Sequence, residues 1–298
     1  MADGRLNIVL CWHMHQPWYR DGVDGAYRLP WVYLHGLKDY SDMAAHLERH
    51  PRMKVVVNFA PVLLEQLDDY AQQLTAFLQN ATPMHDPLLN LLAGVTPIPA
   101  DKAARAELIA DCQRCHAPTM IHPHAPFQRL LKMIGATDEM GIGTKRFSCS
   151  LLHLSDQYFL DLLTWYHLAW MGWSLQDEPV VQRLLKQGTE YTLEDRLELL
   201  AIMRDCLAGI IPRYRALAAS GQIELSMTPY MHPIIPLLND FNNMCCSLPN
   251  APAPQHAAST ATRGPAPSPK QSLARAARSR APLEALLLPR SQKSPPTT

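Results

Sequence analysis

Three short apolar runs separated by longer helical patterns constrain the fold of this chain more than any other feature. The runs lie at residues 8–10, 54–59 and 223–226, and they read as strands because they are apolar and bounded by turn residues. The valines at 55–57 show no alternation with polar residues, which is typical of a strand buried on both faces of a parallel sheet. The order strand, helix, strand, helices, strand predicts an α/β fold.

The stretches between these runs carry apolar residues at helical spacing. We predict one helix at residues 31–50, which Pro51 ends, and another from Pro61 to about Leu78, because proline suits a first helical turn. Further helices are predicted at residues 101–114, 126–134, 154–173 and 193–219. Four of the aromatic residues in the helix at 154–173 are expected to pack in the core rather than line a cleft: Trp165, Tyr166, Trp170 and Trp173.

A dense set of ring-bearing and hydrogen-bonding side chains follows the first apolar run. The sequence there is Cys11-Trp12-His13-Met14-His15-Gln16-Pro17-Trp18-Tyr19-Arg20. In α/β folds, ligands bind outside the carboxyl ends of the strands. Aromatic faces stack on the C–H face of a sugar, while His, Gln and Arg hydrogen-bond to its hydroxyl groups. The stretch therefore suits a carbohydrate site, and the alternative interpretation is a packed aromatic cluster that caps a strand.

Two separate motifs resemble one known family. Residues 10–19, with their His-Gln-Pro core, resemble the first conserved region of glycoside hydrolase family 57. The second motif, similar to the second conserved region of that family, comprises residues 221–226, Thr228-Pro229 and residues 232–238. Shorter similar segments occur at residues 29–31, 38–40, 57–59 and 165–170. The resemblance covers about residues 5–240, and two motifs in the right order make it specific.

The resemblance implies a fold and a substrate class. The fold would be an incomplete (β/α)7-type barrel that contains the amino-terminal strands and helices only, in one domain at residues 1–240. The family acts on α-linked glucans or related α-glycosides by a retaining, metal-independent mechanism. The expected partner is therefore an oligosaccharide or polysaccharide.

The resemblance also implies a set of substrate-binding residues. Six are predicted: His13, His15, Gln16, Trp18, Glu224 and His232. His15 is expected to contact sugar hydroxyls near the cleavage point, and His232 is expected to contact the ligand from the second motif. For Glu224, a carboxylate that orients the backbone or a neighbouring histidine is a slightly favoured alternative to direct sugar contact.

The carboxyl pair that glycoside hydrolysis normally needs is not identified in this sequence. In family 57, the nucleophile is a Glu in the third conserved region and the acid/base is an Asp in the fourth, and both regions follow the second. Here Glu284 is the one acidic residue after Asp240, and it lacks the surrounding motif of the family. We therefore assign no catalytic residue and expect the chain to be truncated before the carboxylates and inactive alone. A non-catalytic carbohydrate-binding remnant is the alternative function.

Residues 241–298 differ in character from the rest of the chain. From residue 251 onward there are nine prolines, seven Lys or Arg residues and one Glu, but no aromatic residue. Such a composition buries too little apolar surface to offset the entropy lost on ordering, so a disordered tail is expected. Seven basic residues and one Glu give this part a charge of +6, and the formal total of zero leaves −6 for the rest. An acidic body argues against nucleic-acid binding.

Seven irregularly spaced cysteines favour reduced thiols over a disulfide framework, so a cytoplasmic location is expected. The sequence shows no signal-peptide pattern, and no apolar run reaches the ~20 residues that span a bilayer, so no membrane partner is expected. The sequence does not indicate an oligomeric state.

Two alternative cofactor sites can be read from the sequence. Cys112-Gln113-Arg114-Cys115-His116 fits a haem-attachment pattern, but no export signal accompanies it. The same cysteines could bind zinc with His122 and His124, although the spacing is not that of a standard finger. The pair His13 and His15 could also hold a metal, yet no Asp or Glu lies close in sequence to complete the site. We therefore expect no metal and no cofactor.

Overall fold

The structure is a computed structural model that describes residues 8–135, 151–250 and 252. The chain divides into two compact units. The first comprises Met1–Trp18, Arg52–Glu65 and Arg215–Thr298, and the second comprises Tyr19–Pro51 and Gln66–Tyr214. Disorder is predicted for the tail at residues 241–298; the structure describes residues 241–250 and 252 of it, and the others lie outside the described residues.

The first unit contains a three-stranded parallel sheet with the strand order β1-β2-β3. The strands are β1 Cys11–Met14, β2 Val55–Phe59 and β3 Ile223–Met227. Their register pairs His13 with Asn58 and Asn58 with Ser226, so three polar residues lie side by side near the carboxyl ends of the strands. The predicted α/β fold with a parallel sheet is confirmed. The incomplete barrel stays a prediction.

The first strand begins later than predicted. Ile8, Val9 and Leu10 are 73%, 77% and 41% exposed, so the prediction of a buried strand over these residues is wrong. A strand needs a hydrogen-bonded neighbour, and pairing with β2 begins where the N–H of Val56 donates to the carbonyl of Leu10 at 2.9 Å. In β2, alternate residues are buried and Val56 is half-buried, so this strand is not buried on both faces as predicted.

Helices form most of the remaining described chain. The first three are α1 Trp31–His35, α2 Ser41–Arg49 and α3 Pro61–Asn80, and a π-helical turn, Gly36–Tyr40, joins α1 to α2. The others are α4 Pro87–Leu92, α5 Lys102–Asp111, α6 Ala117–Met120, α7 Ala125–Met133, α8 Asp156–Ala169, α9 Trp173–Gln176, α10 Pro179–Gln187, α11 Leu193–Ala219 and α12 Ile235–Asn239. Short 3-10 turns lie at Leu151–His153 and Phe241–Cys246. Within the described ranges, no helix combines the length and apolarity that crossing a bilayer requires.

The aromatic residues predicted along the helix at 154–173 separate into two groups. Trp165, Tyr166 and Trp170 are buried, as predicted. Trp173 is 52% exposed, so the prediction of core packing is wrong for this residue. Because α8 ends at Ala169, Trp173 opens a new helix and does not continue the buried face of α8.

A buried carboxyl group begins α4. Asp86 is 2% exposed, and its side chain accepts hydrogen bonds from the backbone N–H groups of Leu88 and Leu89. The hydroxyl of Tyr70 also donates to it, at 2.8 Å. Burial nevertheless dominates these bonds and raises the pKa of Asp86 to about 6.

A buried imidazole lies on α8. The Nδ1 of His167 donates to the carbonyl of Leu163 at 2.8 Å, so the Nε2 accepts from the hydroxyl of Tyr33 at 2.9 Å. This pairing satisfies both nitrogens of a neutral ring. Burial lowers the pKa of His167 to about 4.

Candidate functional site

Three side chains from three strands form a hydrogen-bonded row at the carboxyl end of the sheet. The amide nitrogen of Asn58 donates to the hydroxyl oxygen of Ser226 at 2.6 Å. The amide oxygen of Asn58 therefore faces the Nδ1 of His13, which lies 2.7 Å away. Because an amide oxygen only accepts, the Nδ1 of His13 is the donor, and in the neutral ring the Nε2 presents a lone pair.

Three histidine rings meet beside this row. His15 follows β1 and His232 follows β3, and their rings stack with centroids 4.5 Å apart. The ring of His13 lies 4.7 Å from that of His232 and 6.1 Å from that of His15. One ring nitrogen from each residue lies within 4.8 Å of the other two. We call these three residues the histidine cluster.

The backbone holds His232 in an uncommon conformation. Its φ is +54°, in the left-handed region that residues other than glycine rarely adopt. The N–H of His232 donates to the carbonyl of Pro229 at 2.8 Å, which closes the turn that brings the ring back over the sheet. Strain of this kind clusters at functional sites in proteins.

The electrostatics of the histidine cluster favour the neutral form of His15. Partial burial lowers the pKa of His15, and the neighbouring charges of His232 and His13 lower it further. A neutral imidazole offers one N–H donor and one lone pair. The cluster can therefore hydrogen-bond to sugar hydroxyls or coordinate a metal ion through nitrogen.

The other predicted residues of the first motif lie close to the cluster in sequence. Gln16 is half-buried and Trp18 is 37% exposed, so the indole of Trp18 presents surface to solvent. Arg20, which the sequence placed among the sugar-binding groups, belongs to the second unit. Its guanidinium donates to the carbonyl of Gly25 and bonds to the ring of His85, both at 2.8 Å, which gives it a structural role.

The structure does not bring Glu224 to the histidine cluster. Glu224 is the second residue of β3 and is exposed. It lines a cavity of about 310 Å³ at the opposite, amino-terminal end of the sheet, together with residues 8–10, Lys54 and Gly221. The histidine cluster lies at the carboxyl ends of the same strands.

Sequence reasoning gave no role to several polar residues near the cluster. Asn58 and Ser226 orient His13, and the hydroxyl of Tyr230 donates to the carboxylate of Glu65. Burial, then the bond to Glu65, raises the pKa of Tyr230 to about 12. A polar residue directly after three valines was the available signal for Asn58. The bond between Tyr230 and Glu65 has no local sequence signal.

The cysteine motif lies elsewhere, in the second unit. Cys112 is completely buried just after α5, and burial raises the pKa of its thiol well above the usual range. Burial also raises the pKa of Cys115 to about 12. Burial therefore disfavours the thiolate form at both positions, and the thiolate is the form that binds metals. Within the described residues, the group that could hold a metal ion is the histidine cluster and contains no cysteine.

Comparison with known proteins gives one match. The sequence model of glycosyl hydrolase family 57 matches residues 9–248, a range that includes the histidine cluster and the row formed by Asn58 and Ser226. No curated protein and no solved structure matches the chain. Because the match spans more than half of the 298 residues, the chain belongs to glycosyl hydrolase family 57.

Proposed function

We propose that this chain forms the sugar-binding part of a glycoside hydrolase site that acts on α-linked glucans or related α-glycosides. Family membership supports a carbohydrate substrate. The observation that carries the proposal is the meeting of two motifs: His13 and His15 from the first and His232 from the second have ring centroids 4.5 to 6.1 Å apart.

The proposed binding mode uses the groups described above. The imidazoles of the histidine cluster hydrogen-bond to sugar hydroxyls, and Gln16 adds an amide on the same turn. The exposed face of Trp18 stacks on the C–H face of a sugar ring. The sugar contact of Glu224 stays a prediction, and its position in a separate cavity favours the alternative structural role.

The proposed architecture is an incomplete (β/α)7-type barrel. Three parallel strands that are adjacent in space in their chain order suit the consecutive strands of such a barrel. Each strand also has a polar residue of the site at or just beyond its carboxyl end, which is where barrel enzymes place their sites.

We infer that these 298 residues bind sugar but do not supply the carboxylate pair. In a retaining glycosidase, two carboxyl groups lie about 5–5.5 Å apart, one protonating the leaving oxygen and one attacking the sugar. The histidine cluster includes no carboxylate. The contribution of this chain is then to bind and orient the sugar. A non-catalytic carbohydrate-binding protein, the second candidate function, would do the same.

The six described cysteines are unpaired, which supports the proposed cytoplasmic location.

Calorimetry with a maltooligosaccharide tests the proposal. We expect the maltooligosaccharide to bind measurably to residues 1–298 in a buffer that contains a chelator. The affinity of His15→Ala should be lower by about tenfold or more. His46→Ala, which changes an exposed histidine on α2, serves as the matched control and should bind like the unmodified chain. Equal affinity in all three folded proteins, or no binding at all, would contradict the proposal.

A further inference from the structure

We propose that the histidine cluster is a binding site for a divalent transition-metal ion of the zinc class. The inference goes beyond the sugar-binding role and does not rest on it. Sequence reasoning set a metal aside because no third ligand lies near His13 and His15. The structure supplies that ligand, since His232 comes from the turn after β3.

The separations within the cluster suit a metal ion after small side-chain movements. Zinc binds imidazole nitrogens at about 2.0–2.1 Å in tetrahedral geometry, which places ligand nitrogens about 3.4 Å apart. One ring nitrogen of each residue lies within 4.8 Å of the other two. The widest pair would therefore close by at most about 1.4 Å on binding an ion, and the side chains that would rotate are exposed or half-buried.

The hydrogen bonds of His13 match the environment of a metal ligand. Metal-bound histidines usually donate their other ring N–H to an oxygen, which fixes the ring orientation and the tautomer. The Nδ1 of His13 donates to Asn58 at 2.7 Å, and Asn58 is itself fixed by Ser226 at 2.6 Å. The Nε2 is therefore the free lone pair of a pre-oriented ligand.

The conformation of His232 is a second, independent observation. A left-handed φ of +54° is unfavourable for a residue with a Cβ. The following residue, Pro233, restricts the backbone of His232 further. The turn holds this strained residue with its ring stacked on that of His15. Metal coordination would offset that strain.

The donor set selects the class of ion. Three imidazoles suit Zn²⁺, Co²⁺, Ni²⁺ and Cu²⁺, whereas Ca²⁺ and Mg²⁺ prefer oxygen ligands. Three protein ligands also leave a fourth position of a tetrahedral ion open. Because His13 is exposed, an ion can reach the cluster from solvent.

Metal titration of untagged residues 1–298, treated with a chelator and dialysed, tests the proposal. We expect one Zn²⁺ per chain and, with Co²⁺, the visible absorption of a tetrahedral nitrogen site. His13→Ala and His232→Ala should each weaken Zn²⁺ binding by about 100-fold, and Asn58→Ala by about 10-fold. His46→Ala should bind like the unmodified chain, and circular dichroism checks that each variant is folded.

Three outcomes would overturn the proposal. The first is no Zn²⁺ binding by the folded, unmodified chain at concentrations up to about 100 µM. The second is unchanged affinity in folded His13→Ala and Asn58→Ala, a pair that keeps the test decisive even where His232→Ala fails to fold. The third is a thiolate-to-cobalt charge-transfer band, which would assign the metal to cysteines.

Discussion

The rings of His15 and His232 stack with centroids 4.5 Å apart and planes inclined by 27°. One residue follows β1 and the other follows β3, and they belong to the two different sequence motifs. Residues in direct contact rarely act independently, because removing one ring changes the surroundings of the other. The two motifs therefore form one site, and their contributions to binding should be coupled.

A double-mutant cycle measures this coupling. We expect His15→Ala and His232→Ala each to weaken maltooligosaccharide binding by about tenfold, which is about 1.4 kcal/mol. The double variant should lose less than the sum of the two single losses, by at least ~0.5 kcal/mol, because the second change removes a partner that is already displaced. Calorimetry on all four proteins gives the coupling. Strict additivity would show that the two rings contact the sugar separately.

Asp86 should make the protein less stable as the pH rises through its titration range. Its folded pKa of about 6 lies above its usual value of 3.8, so the folded state holds the proton more tightly. The contribution of protonated Asp86 to the free energy of unfolding amounts to roughly 3 kcal/mol. It is complete below about pH 4 and is lost as the pH rises through about 6.

Asp86→Asn isolates this contribution, because an asparagine can still cap α4 and meet Tyr70. The stability of the variant relative to the unmodified chain should rise by roughly 3 kcal/mol between pH 3 and pH 7. Urea unfolding at a series of pH values measures this difference. A difference that stays constant with pH would mean that Asp86 titrates normally.

The titration of His167 should change the stability of the protein in the opposite direction over nearly the same pH range. Its folded pKa of about 4 lies below its usual 6.5, so the folded state excludes the proton. Its contribution is complete above about pH 6.5 and is lost as the pH falls through about 4, again by roughly 3 kcal/mol. In the unmodified chain the two effects oppose each other, so neither appears alone.

His167→Gln should be less stable than the unmodified chain at pH 7, because the bonds to Tyr33 and Leu163 are disturbed. That deficit should shrink by roughly 3 kcal/mol when the pH falls from 7 to 4. Urea unfolding at the same series of pH values measures this deficit. The stability difference of Asp86→Asn should change with pH in the opposite direction and serves as the comparison. A deficit that grows on acidification would contradict the assigned tautomer and burial.

Local sequence patterns predicted the positions of helices and strands better than they predicted which residues are buried. The helix at 193–219 and the strands at 54–59 and 223–226 follow from apolar spacing and turn residues, because these signals act over a few neighbours. The exposure of Ile8 and Val9 did not follow, since it depends on where β2 begins to pair. Trp173 was misjudged because α8 ends at Ala169 and Trp173 begins a separate helix after Gly172.

The candidate site was predictable only in part. His13, His15 and His232 could be named from their motifs, but their ring contacts depend on strand order and register. The link from His13 through Asn58 to Ser226 crosses three strands that are distant in sequence. Glu224 lies within the second motif, yet the direction of β3 places it at the other end of the sheet.

Residues 1–298 alone are expected to bind sugar without cleaving it. Within the first unit, the described residues carry three acidic side chains: Glu65, Glu224 and Asp240. Glu65 accepts a bond from Tyr230, Asp240 accepts one from the backbone of Asn242, and Glu224 lines a separate cavity.

None of these three carboxylates is part of the histidine cluster, so the described residues of the first unit add no carboxylate pair to it. Assays with maltooligosaccharides, glycogen and an aryl α-glycoside should give no turnover above a mock preparation. The variants Glu65→Gln, Glu224→Gln and Asp240→Asn sharpen the test. If turnover occurs and one of these substitutions abolishes it in a folded protein, the catalytic carboxylate lies within this unit and the proposed division between binding and catalysis is wrong.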